Sequence, residues 1–444
     1  MSLGGGKFLT QNKVLIGSYI NFVSARDASI TLADRGCVAV ALGLDWGADG
    51  ITELTTESFQ KDAKKLLGYD YADEQMKPVR ELFKNASKVY VYRLNGTGAE
   101  KAKNDVATAK YVGVKGNKIA TLIEANVDNG AKYDVYTYVD GIEVDKQIVA
   151  KYDELVANDY VEFNIASGTL TAGTQPVYLT GGANGSGTAN AEHAKFLALA
   201  ESYSFNTLAC NSSERTIIDL YIAYTKRMRD EVGVKFQTVI YGKADTVVID
   251  PNYEGVIVVD TPVVADGVPA HYGIFWVAGA EAGCEINKTN TNKKYDGEYK
   301  FKTDYTKTEL ENAIKSGKFV FHKVGDDVRV LVDINSLVEY DMDKSADFSD
   351  NKVIRILDQI GNDVALEFNT NFLGKIPNDA AGRISFWNAL DNYGKKLQNL
   401  RALQNWDNSL LKISEGETKT SVVVDMVVNI VGTMEKLYMT VRVV

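Results

Sequence analysis

The sequence predicts a multi-domain protein with an α/β core, an inserted β-sandwich domain and an α+β C-terminal domain. Its 444 residues exceed what one hydrophobic core usually organises, so we expect several domains. Strand and helix patterns alternate near the N-terminus, which is typical of an open α/β sheet. From Tyr111 to Leu179 the pattern changes to short alternating runs separated by Gly, Asn and Asp, which predicts a β-sandwich.

An N-terminal arm over residues 1–22 precedes the core. A Gly-rich tip is followed by VLIGSYINF, in which apolar side chains recur on one face of an extended strand. The arm residues are Val14, Ile16, Tyr19, Ile20 and Phe22. The segment therefore predicts a strand that mirrors the apolar strands at the other end of the chain.

The first part of the α/β core is predicted over residues 23–97. RGCVAVAL has the apolar run of a buried strand, and TTESFQKDAKKLLG has a helical apolar stripe that ends at Gly68. A second helix, from Asp73 to Ala86, leads directly into a strand from Lys88 to Leu94. This β-α-β order is the reason for predicting an open sheet.

The inserted β-sandwich domain is predicted over residues 98–180, and the second part of the core over residues 181–335. Helical periodicity returns from Ser212 to Val232, and FQTVIYG, TVVID and GVIVVD predict further strands. A small-residue helix is expected through Trp276 to Ala282. The pattern from Thr308 to Glu311 predicts a capping box that opens a short helix.

The C-terminal domain is predicted over residues 336–444, with two long helices from Asp350 to Leu373 and from Ala380 to Asn405, followed by apolar strands. In both strands, every second side chain is apolar, as on the covered face of a strand. The residues of the first strand are Val422, Val424, Met426, Val428 and Ile430. Those of the last strand are Leu437, Met439, Val441 and Val443.

These terminal strands predict an open sheet edge. A long, apolar edge strand promotes aggregation unless a Pro, an inward Lys or a covering element protects it. Between Lys419 and Val444 there is no Pro, and no Lys lies at an inward position of the strands. We therefore expect a neighbouring copy of the chain to cover the edge.

Composition excludes several classes of protein. Hydrophobic residues at 45% and charged residues at 24% indicate a folded chain rather than a disordered one, and no apolar run approaches a membrane span. The first residues lack the pattern of a secretory signal, and three cysteines without metal or redox spacing suit a reducing compartment. A net charge of −10 argues against nucleic acid as the main partner.

Two loops resemble ligand-binding motifs but lack the residues that would hold the ligand. The glycine-rich stretch from Gly181 to Thr188 lacks the Lys of a phosphate-binding loop and the dinucleotide spacing. The acidic stretch from Asp341 to Asp347 begins like a calcium loop, but Ala346 and Lys352 occupy the positions of the turn Gly and the bidentate Glu. We interpret both as structural loops, and expect no metal and no cofactor.

No catalytic constellation is apparent either. A nucleophile elbow is absent, and the three histidines, His193, His271 and His322, show no ligand spacing on one element. A cysteine paired with a distant histidine stays possible in principle, because sequence cannot establish such a pairing. Structural roles are favoured for both residue types, so we expect no catalytic residues.

Several segments together resemble the contractile tail sheath proteins of myovirus-type phages and phage-tail-like (R-type) bacteriocins, in their clostridial and bacillar branch. They run through most of the chain and include DRGCVAVALGLDWG, ELFKNASKVYVYRLNG, KRMRDEVGVKFQTV, TNKKYDGEY, VRVLVDINSL and PNDAAGR. One departure lies in the arm, which usually begins Arg-Pro-Gly-Val-Tyr but here runs from Leu15 to Tyr19 as LIGSY.

The resemblance implies a subtilisin-like α/β core without catalytic residues and terminal strands swapped between copies. The donated strands would be Val14 to Phe22 and Leu437 to Val444, and the acceptor would include Val422 to Ile430. Such a chain would polymerise as a helical sleeve around a tail tube and contract without ATP to drive the tube through a cell envelope.

The resemblance also implies partners and a location. The partners would be further copies of the chain, the tail tube protein, and baseplate and tail terminator proteins, without nucleic acid or direct membrane insertion. The chain would assemble in the bacterial host cytoplasm and end in a virion or a released tail particle. Four cations of the second long helix, Arg383, Lys395, Lys396 and Arg401, are candidates for the tube contact, with a solvated helix face as the equal alternative.

Two other functions stay in view from sequence alone. A catalytically degenerate α/β hydrolase would share the predicted core, but the motifs of the chemistry are missing. A receptor-binding or adhesion protein would account for the β-sandwich insert, but leaves most of the chain unexplained.

Overall fold

The computed structural model describes residues 30, 32–164, 170–187, 189–244 and 247–443. These form two compact units. The larger unit comprises residues 33–362 and 432–443, and the smaller unit comprises residues 363–431 with residues 30 and 32. No helix among the described residues is long and apolar enough to span a membrane.

The larger unit begins with the predicted β-α-β order. Its elements are β1 (Cys37–Leu42), β2 (Ile51–Thr55), α1 (Thr56–Leu67), α2 (Lys77–Phe83) and β3 (Lys88–Arg93). Helix α1 begins where Thr55 and Ser58 bond reciprocally to each other's backbone N–H, and ends at Gly68, whose φ of 88° is left-handed. A Cβ at Gly68 would also clash with Trp46. The predicted end of this helix is confirmed.

The insert is all β. Its strands are β4 (Ala107–Ala109), β5 (Ile119–Ala125), β6 (Tyr133–Val139), β7 (Ile142–Val149), β8 (Val161–Phe163) and β9 (Val177–Tyr178). A four-stranded antiparallel sheet in the order β7-β6-β5-β9 and the short β4-β8 pair enclose one core. Ile119, Ile123, Val135 and Val139 lie in that core at every second position of their strands, as a two-layer sandwich requires.

The chain then returns to the α/β layer. The elements are α3 (Ala189–Ala200), β10 (Thr207–Ala209), α4 (Arg215–Lys226), β11 (Gln237–Tyr241), β12 (Lys243–Ala244), β13 (Val247–Val248), β14 (Val256–Val259), α5 (Gly273–Gly283), α6 (Lys307–Lys315), β15 (Lys318–Phe319), β16 (Phe321–Val324) and β17 (Asp327–Val330). Helix α6 corrects one prediction: its capping box joins Thr306 and Glu309, not Thr308 and Glu311. Thr306 has the extended backbone that an N-cap needs, and this local geometry selects between the two similar patterns.

A seven-stranded sheet in the order β2-β3-β1-β10-β11-β14-β15 forms the centre of the larger unit. All neighbouring strands are parallel except β2, which is antiparallel to β3. Val38 and Val40 of β1 belong to the cluster that contains α1, α2 and α5, whereas Ala39 and Ala41 belong to the cluster with α3 and α4. Both faces are therefore buried, which explains the continuous apolar strands.

Helix α5 lies in the first of these clusters and is buried on all sides. Its small residues allow close packing against α2, because a Cβ at Gly279 or Gly283 would overlap the carbonyl oxygen of Leu82 or Asn85. The absence of side chains at these two positions thus sets the distance between the helices.

Charged side chains hold the next helix, α7 (Asn351–Glu367), to the core. The Arg355 guanidinium lies 2.6 Å from the Glu281 carboxylate and 3.1 Å from that of Asp333, all almost fully buried. One turn later, Asp358 accepts two hydrogen bonds from Arg229. Buried charges are tolerated only when paired in this way.

The smaller unit contains the end of α7, α8 (Ala380–Asn399), β18 (Lys412–Glu415) and β19 (Val422–Asp425). Helix α7 continues as a π-helix over Phe368–Phe372, where Phe372 packs on Phe386 of α8 with ring centroids 4.7 Å apart. The indole of Trp406 lies over Gly394 and donates to Asp391.

Two C-terminal expectations differ from the structure. Helix α8 ends at Asn399, not near Asn405, because Arg401 and Asn405 both have left-handed φ angles. The first terminal strand is four residues long, and the described residues 437–443 form no strand with the rest of the described chain. A strand needs a pairing partner, and the described part of one chain supplies none for this segment.

We predict that Gly279→Ala destabilises the larger unit by about 1 to 3 kcal/mol, because the added methyl forces α5 away from α2. Gly361→Ala is the matched control: this exposed glycine of α7 has only an ordinary contact with Lys235, so the change should stabilise by about 0.5 to 1 kcal/mol. Urea unfolding of both variants measures the difference. Equal stability of the two variants would contradict the close packing described here.

Candidate assembly surfaces

The carboxyl ends of the parallel strands are the place where an α/β enzyme would hold its active site. Here Asn211, just after β10, lies with Oδ1 3.1 Å from Nε2 of His271, and its Nδ2 donates to the carbonyl of Ala41. Burial lowers the pKa of His271 to about 4, so the ring is neutral at pH 7. Burial raises the pKa of the neighbouring Cys210 thiol, which is therefore not a thiolate.

His193 and Cys284 also have the surroundings of structural residues. His193 Nδ1 is 2.8 Å from the Tyr221 hydroxyl, and burial lowers the pKa of His193 to about 4. Burial raises the pKa of Cys284 to about 11. Among the side chains that the structure describes, no cysteine or histidine is arranged as a nucleophile with its base.

The glycine-rich loop holds a carboxylate where a phosphate would need positive charge. Glu192 of α3 is buried and accepts a hydrogen bond from the Thr97 hydroxyl, and Gly185 N–H donates to the Asn95 carbonyl over 2.9 Å. The loop therefore joins α3 to the end of β3 as a structural turn. An anion at this helix start would meet the negative charge of Glu192.

The acidic loop is held by hydrogen bonds between its own residues. Asp341 accepts hydrogen bonds from the backbone N–H groups of Asp343 and Lys344, which is an Asx turn. Across the described ranges, no group of three or more His, Cys, Asp or Glu side chains could hold a metal ion.

The predicted acceptor segment forms a hairpin strand with one free edge. Strand β19 pairs with β18 in antiparallel register, from Val422 opposite Glu415 to Asp425 opposite Lys412. Its other edge has no strand partner among the residues described. Further on, Ile430 forms an isolated bridge with Leu403, so the remaining acceptor residues Met426 and Val428 lie between these two pairings.

The predicted C-terminal donor is exposed. The exposed fractions are 85% for Leu437, 74% for Met439, 72% for Val441 and 95% for Val443. Apolar side chains exposed together over one segment are typical of an interaction site. The N-terminal arm residues Val14, Ile16, Tyr19, Ile20 and Phe22 lie outside the described residues.

The four candidate tube-contact cations do not share one face. Lys395 and Lys396 are exposed near the end of α8, and Lys395 pairs with Asp391 at 2.7 Å. Arg383 lies at the other end of the helix, half-buried, with its guanidinium on Asn378. Arg401 follows the helix. The structure thus groups only Lys395 and Lys396.

Sequence reasoning missed an apolar cavity beside β19. It has a volume of about 90 Å³ and is lined in part by Phe368, Phe372, Phe386 and Val422. Phe368 and Phe372 are spaced i, i+4, which signals one helix face, but nothing in the sequence indicates that Phe386 and Val422 complete the walls.

Family models of the tail sheath match nearly the whole chain. They are the tail sheath protein Gp18 domain III N-terminal region at residues 35–94, the phage tail sheath protein beta-sandwich domain at 95–184, the phage tail sheath protein central domain at 186–336, and the phage tail sheath C-terminal domain at 343–444.

Full-length relatives agree with these models. The chain is 32% identical to the phage-like element PBSX protein XkdK of Bacillus subtilis (strain 168), over 99% of this chain and 100% of that protein. A solved sheath tail protein from Desulfitobacterium hafniense is 34% identical, with a TM-score of 0.80, over 96% of this chain and 100% of that one. The contracted helical sheath of the anti-feeding prophage shares the fold at a TM-score of 0.59 and 13% identity, over 96% and 98% of the two chains.

We predict that buried His193 makes stability depend on pH. Its pKa is about 4 in the folded chain and near 6.5 when unfolded, so the unfolded state binds the proton first and stability falls as pH drops between these values, by at most about 1.4 kcal/mol per pH unit. The variant His193→Gln should lose the share of the slope that His193 contributes, whereas His271, whose pKa burial also lowers to about 4, keeps its own share. Urea unfolding of unassembled subunits at pH 6.5, 5.5 and 4.5 measures it.

The matched control is His322→Gln. His322 lies in β16 and is less buried, so its replacement should change the slope less. If His193→Gln keeps the full wild-type slope, the buried neutral ring is not its source.

Proposed function

The chain belongs to the phage tail sheath protein family and is a structural subunit of contractile tail-like particles rather than an enzyme; we propose that it forms its sleeve by exchanging terminal strands between copies. The proposal rests on two features together: β19 has an edge with no strand partner among the described residues, and the C-terminal tail is exposed and apolar. The tail of one copy would supply a strand that pairs with this edge, and the edge would supply the backbone partners that the tail needs. Such head-to-tail contacts do not close on themselves and generate helices.

The proposed donors are Val14 to Phe22 and Leu437 to Val444, and the proposed acceptor runs from Val422 to Ile430. A strand added to β19 would form about four main-chain hydrogen bonds, each worth roughly 0.5 to 1.5 kcal/mol. Each buried Val or Leu side chain would contribute about 1.5 to 3 kcal/mol more, before the cost of ordering the tail. Links of this strength would persist while the cores rearrange.

We propose further that the core is a subtilisin-like scaffold that has no catalytic residues. A parallel sheet with helices on both faces supports this, as does the carboxyl edge, where Asn211 and a neutral His271 face each other. The proposed domain division places the insert at 98–180 and the C-terminal domain at 336–444. The fold thus serves as a rigid building block.

Contraction would use free energy stored in the extended packing of the sleeve. The cores would slide from a metastable arrangement into a denser one while the exchanged strands hold neighbouring copies together. This would drive the tube through the target cell envelope, with no nucleotide hydrolysed. The carboxylate of Glu192 lies beside the described part of the glycine-rich loop, where a nucleotide phosphate would need a cation, and this supports the proposal.

Other partners follow from the same proposal. The sleeve would surround a tail tube protein and contact baseplate and tail terminator proteins, as solved relatives of the same fold come from a helical sheath and from a baseplate. The chain would assemble in the host cytoplasm and leave in a virion or a released tail particle. The exposed Lys395 and Lys396 would face an acidic tube surface.

We predict that Val441→Asp prevents sleeve formation, because a carboxylate on the apolar face of the tail cannot be buried in a strand contact. Thr440→Asp is the matched control, since Thr440 points to the opposite face of an extended strand. The concentration needed for assembly, measured by sedimentation and electron microscopy, should rise at least about tenfold for Val441→Asp, equivalent to about 1.4 kcal/mol. Normal sleeves from Val441→Asp would overturn the tail's role.

Charge reversal at Lys395 and Lys396 should weaken binding to the tube while sleeves still form. A control with the same charge change on α6, Lys307→Glu with Lys315→Glu, should bind the tube normally. Co-sedimentation of sheath with purified tube, at low and high salt, measures the effect, which salt should reduce. Unchanged tube binding by Lys395→Glu with Lys396→Glu would leave these lysines as a solvated helix face.

A further inference from the structure

The apolar cavity of the smaller unit lies at the start of β19 and opens to solvent. Its walls come from the π-helix, the loop after it, the first turns of α8 and the hairpin, and include Phe368, Phe372, Leu373, Ile376, Phe386 and Val422. Phe368 and Phe372 both contact Phe386, with ring centroids 5.6 and 4.7 Å apart. The walls are therefore mainly aromatic and aliphatic.

The polar groups at the rim are already satisfied. Asn378 donates to the carbonyls of Lys419 and Ser421, and Arg383 donates to the side chain and carbonyl of Asn378. These hydrogen bonds fix the loop to the hairpin, and Asn378 and Arg383 make them without a ligand. A cavity with satisfied rim groups and apolar walls suits an aliphatic side chain better than a charged or polar molecule.

Strand geometry connects this cavity with the free edge of β19. Side chains alternate along a strand, so Val422 and Val424 share one face of β19 and Val423 points to the other. Val422 lines the cavity, as does Thr420 in the turn before β19. A strand added at the unpaired edge would place every second side chain on that same face, about 4.8 Å from β19. Its inward side chains would thus approach the cavity.

The C-terminal tail has the matching pattern. Leu437, Met439, Val441 and Val443 occupy one face of an extended chain, and Tyr438, Thr440 and Arg442 the other. On the outward face of β19, Asp425 would lie on the same side as the tail's Arg442, which is a favourable pairing of charge. The apolar face is exposed in the single chain and needs a cover.

We propose that this cavity is an anchor site for the C-terminal tail of a second copy, and that one side chain from the tail's apolar face fills it. The inference rests on the proposed strand exchange and adds the contact that fixes its register. A one-residue slip would present Tyr438 or Thr440 to the aromatic walls, so the cavity selects the register in which aliphatic side chains point inward.

Filling the cavity from the acceptor side tests the site. Thr420→Trp places a large ring at its mouth from an exposed position, and should raise the concentration needed for sleeve assembly at least about tenfold. Val423→Trp, on the outward face of β19, is the matched control and should assemble as wild type. Circular dichroism and urea unfolding confirm that both variants fold. Equal assembly of the two folded variants would overturn the anchor site.

Cross-linking identifies the occupant. Thr420→Cys is combined in one chain with a cysteine at Leu437, Met439 or Val441, and sleeves are oxidised and analysed for disulfide-linked ladders. The native cysteines contribute little, because Cys210 and Cys284 are buried and Cys37 is half-buried. We expect ladders from at least one of these inward positions and none from Tyr438→Cys or Thr440→Cys, since a disulfide needs Cβ atoms that face each other and the outward Cβ atoms point away from the cavity.

The outcomes separate this inference from the function on which it rests. Ladders from Phe22→Cys in place of the tail would assign the cavity to the N-terminal arm and overturn the proposal, as would ladders from the outward tail positions. Wild-type sleeves without any ladder from the inward positions would also overturn it, while leaving strand exchange intact. Failure of the wild-type chain to form sleeves would overturn both.

Discussion

A strand edge must have its backbone N–H and C=O groups paired or hydrated, and its apolar face covered. This constraint determines how the C-terminal part of this sheath subunit is built. The hairpin of β18 and β19 has only two strands, and a two-stranded hairpin is marginal without further strands or a packed face. Helix α8 supports it through Trp387, whose indole donates to the Leu411 carbonyl. Among the described residues no strand pairs with the other edge of β19, and this is the edge at which we propose that a second copy adds a strand.

The larger unit differs, because helices cover both faces of its sheet and its buried Arg355 and Arg229 are paired with carboxylates. Arg355 lies between Glu281 and Asp333, and Arg229 is paired with Asp358, so buried ion pairs attach α7 to the core. Removal of one partner would leave a buried unpaired charge and destabilise the unit.

An enzyme-like sheet also does not require enzyme chemistry. The edge at which α/β enzymes bind substrates is occupied here by an amide–imidazole pair, Asn211 with His271, and by the buried thiol of Cys210. Burial keeps the imidazole neutral and the thiol protonated, so neither acts as a charged partner for the other. The residues that could suggest catalysis instead fill the space at the ends of the strands.

Features that depend on neighbouring residues could be predicted from the order of residues alone. Period-two alternation predicts an apolar face for the tail, and Gly68 marked a helix end because its left-handed φ suits glycine. The sequence also favoured a structural role for the glycine-rich loop, since the required Lys is missing. Such features need only local geometry, which a sequence pattern records directly.

Contacts between distant segments depend on the three-dimensional packing. Phe368, Phe372, Phe386 and Val422 enclose one cavity, although the last lies far along the chain from the first two. The close approach of α5 to α2 at Gly279, and the separation of Arg383 from Lys395 and Lys396, likewise depend on how whole helices pack. Packing energy comes from shape and volume in three dimensions, and the order of residues along the chain does not encode those distances locally.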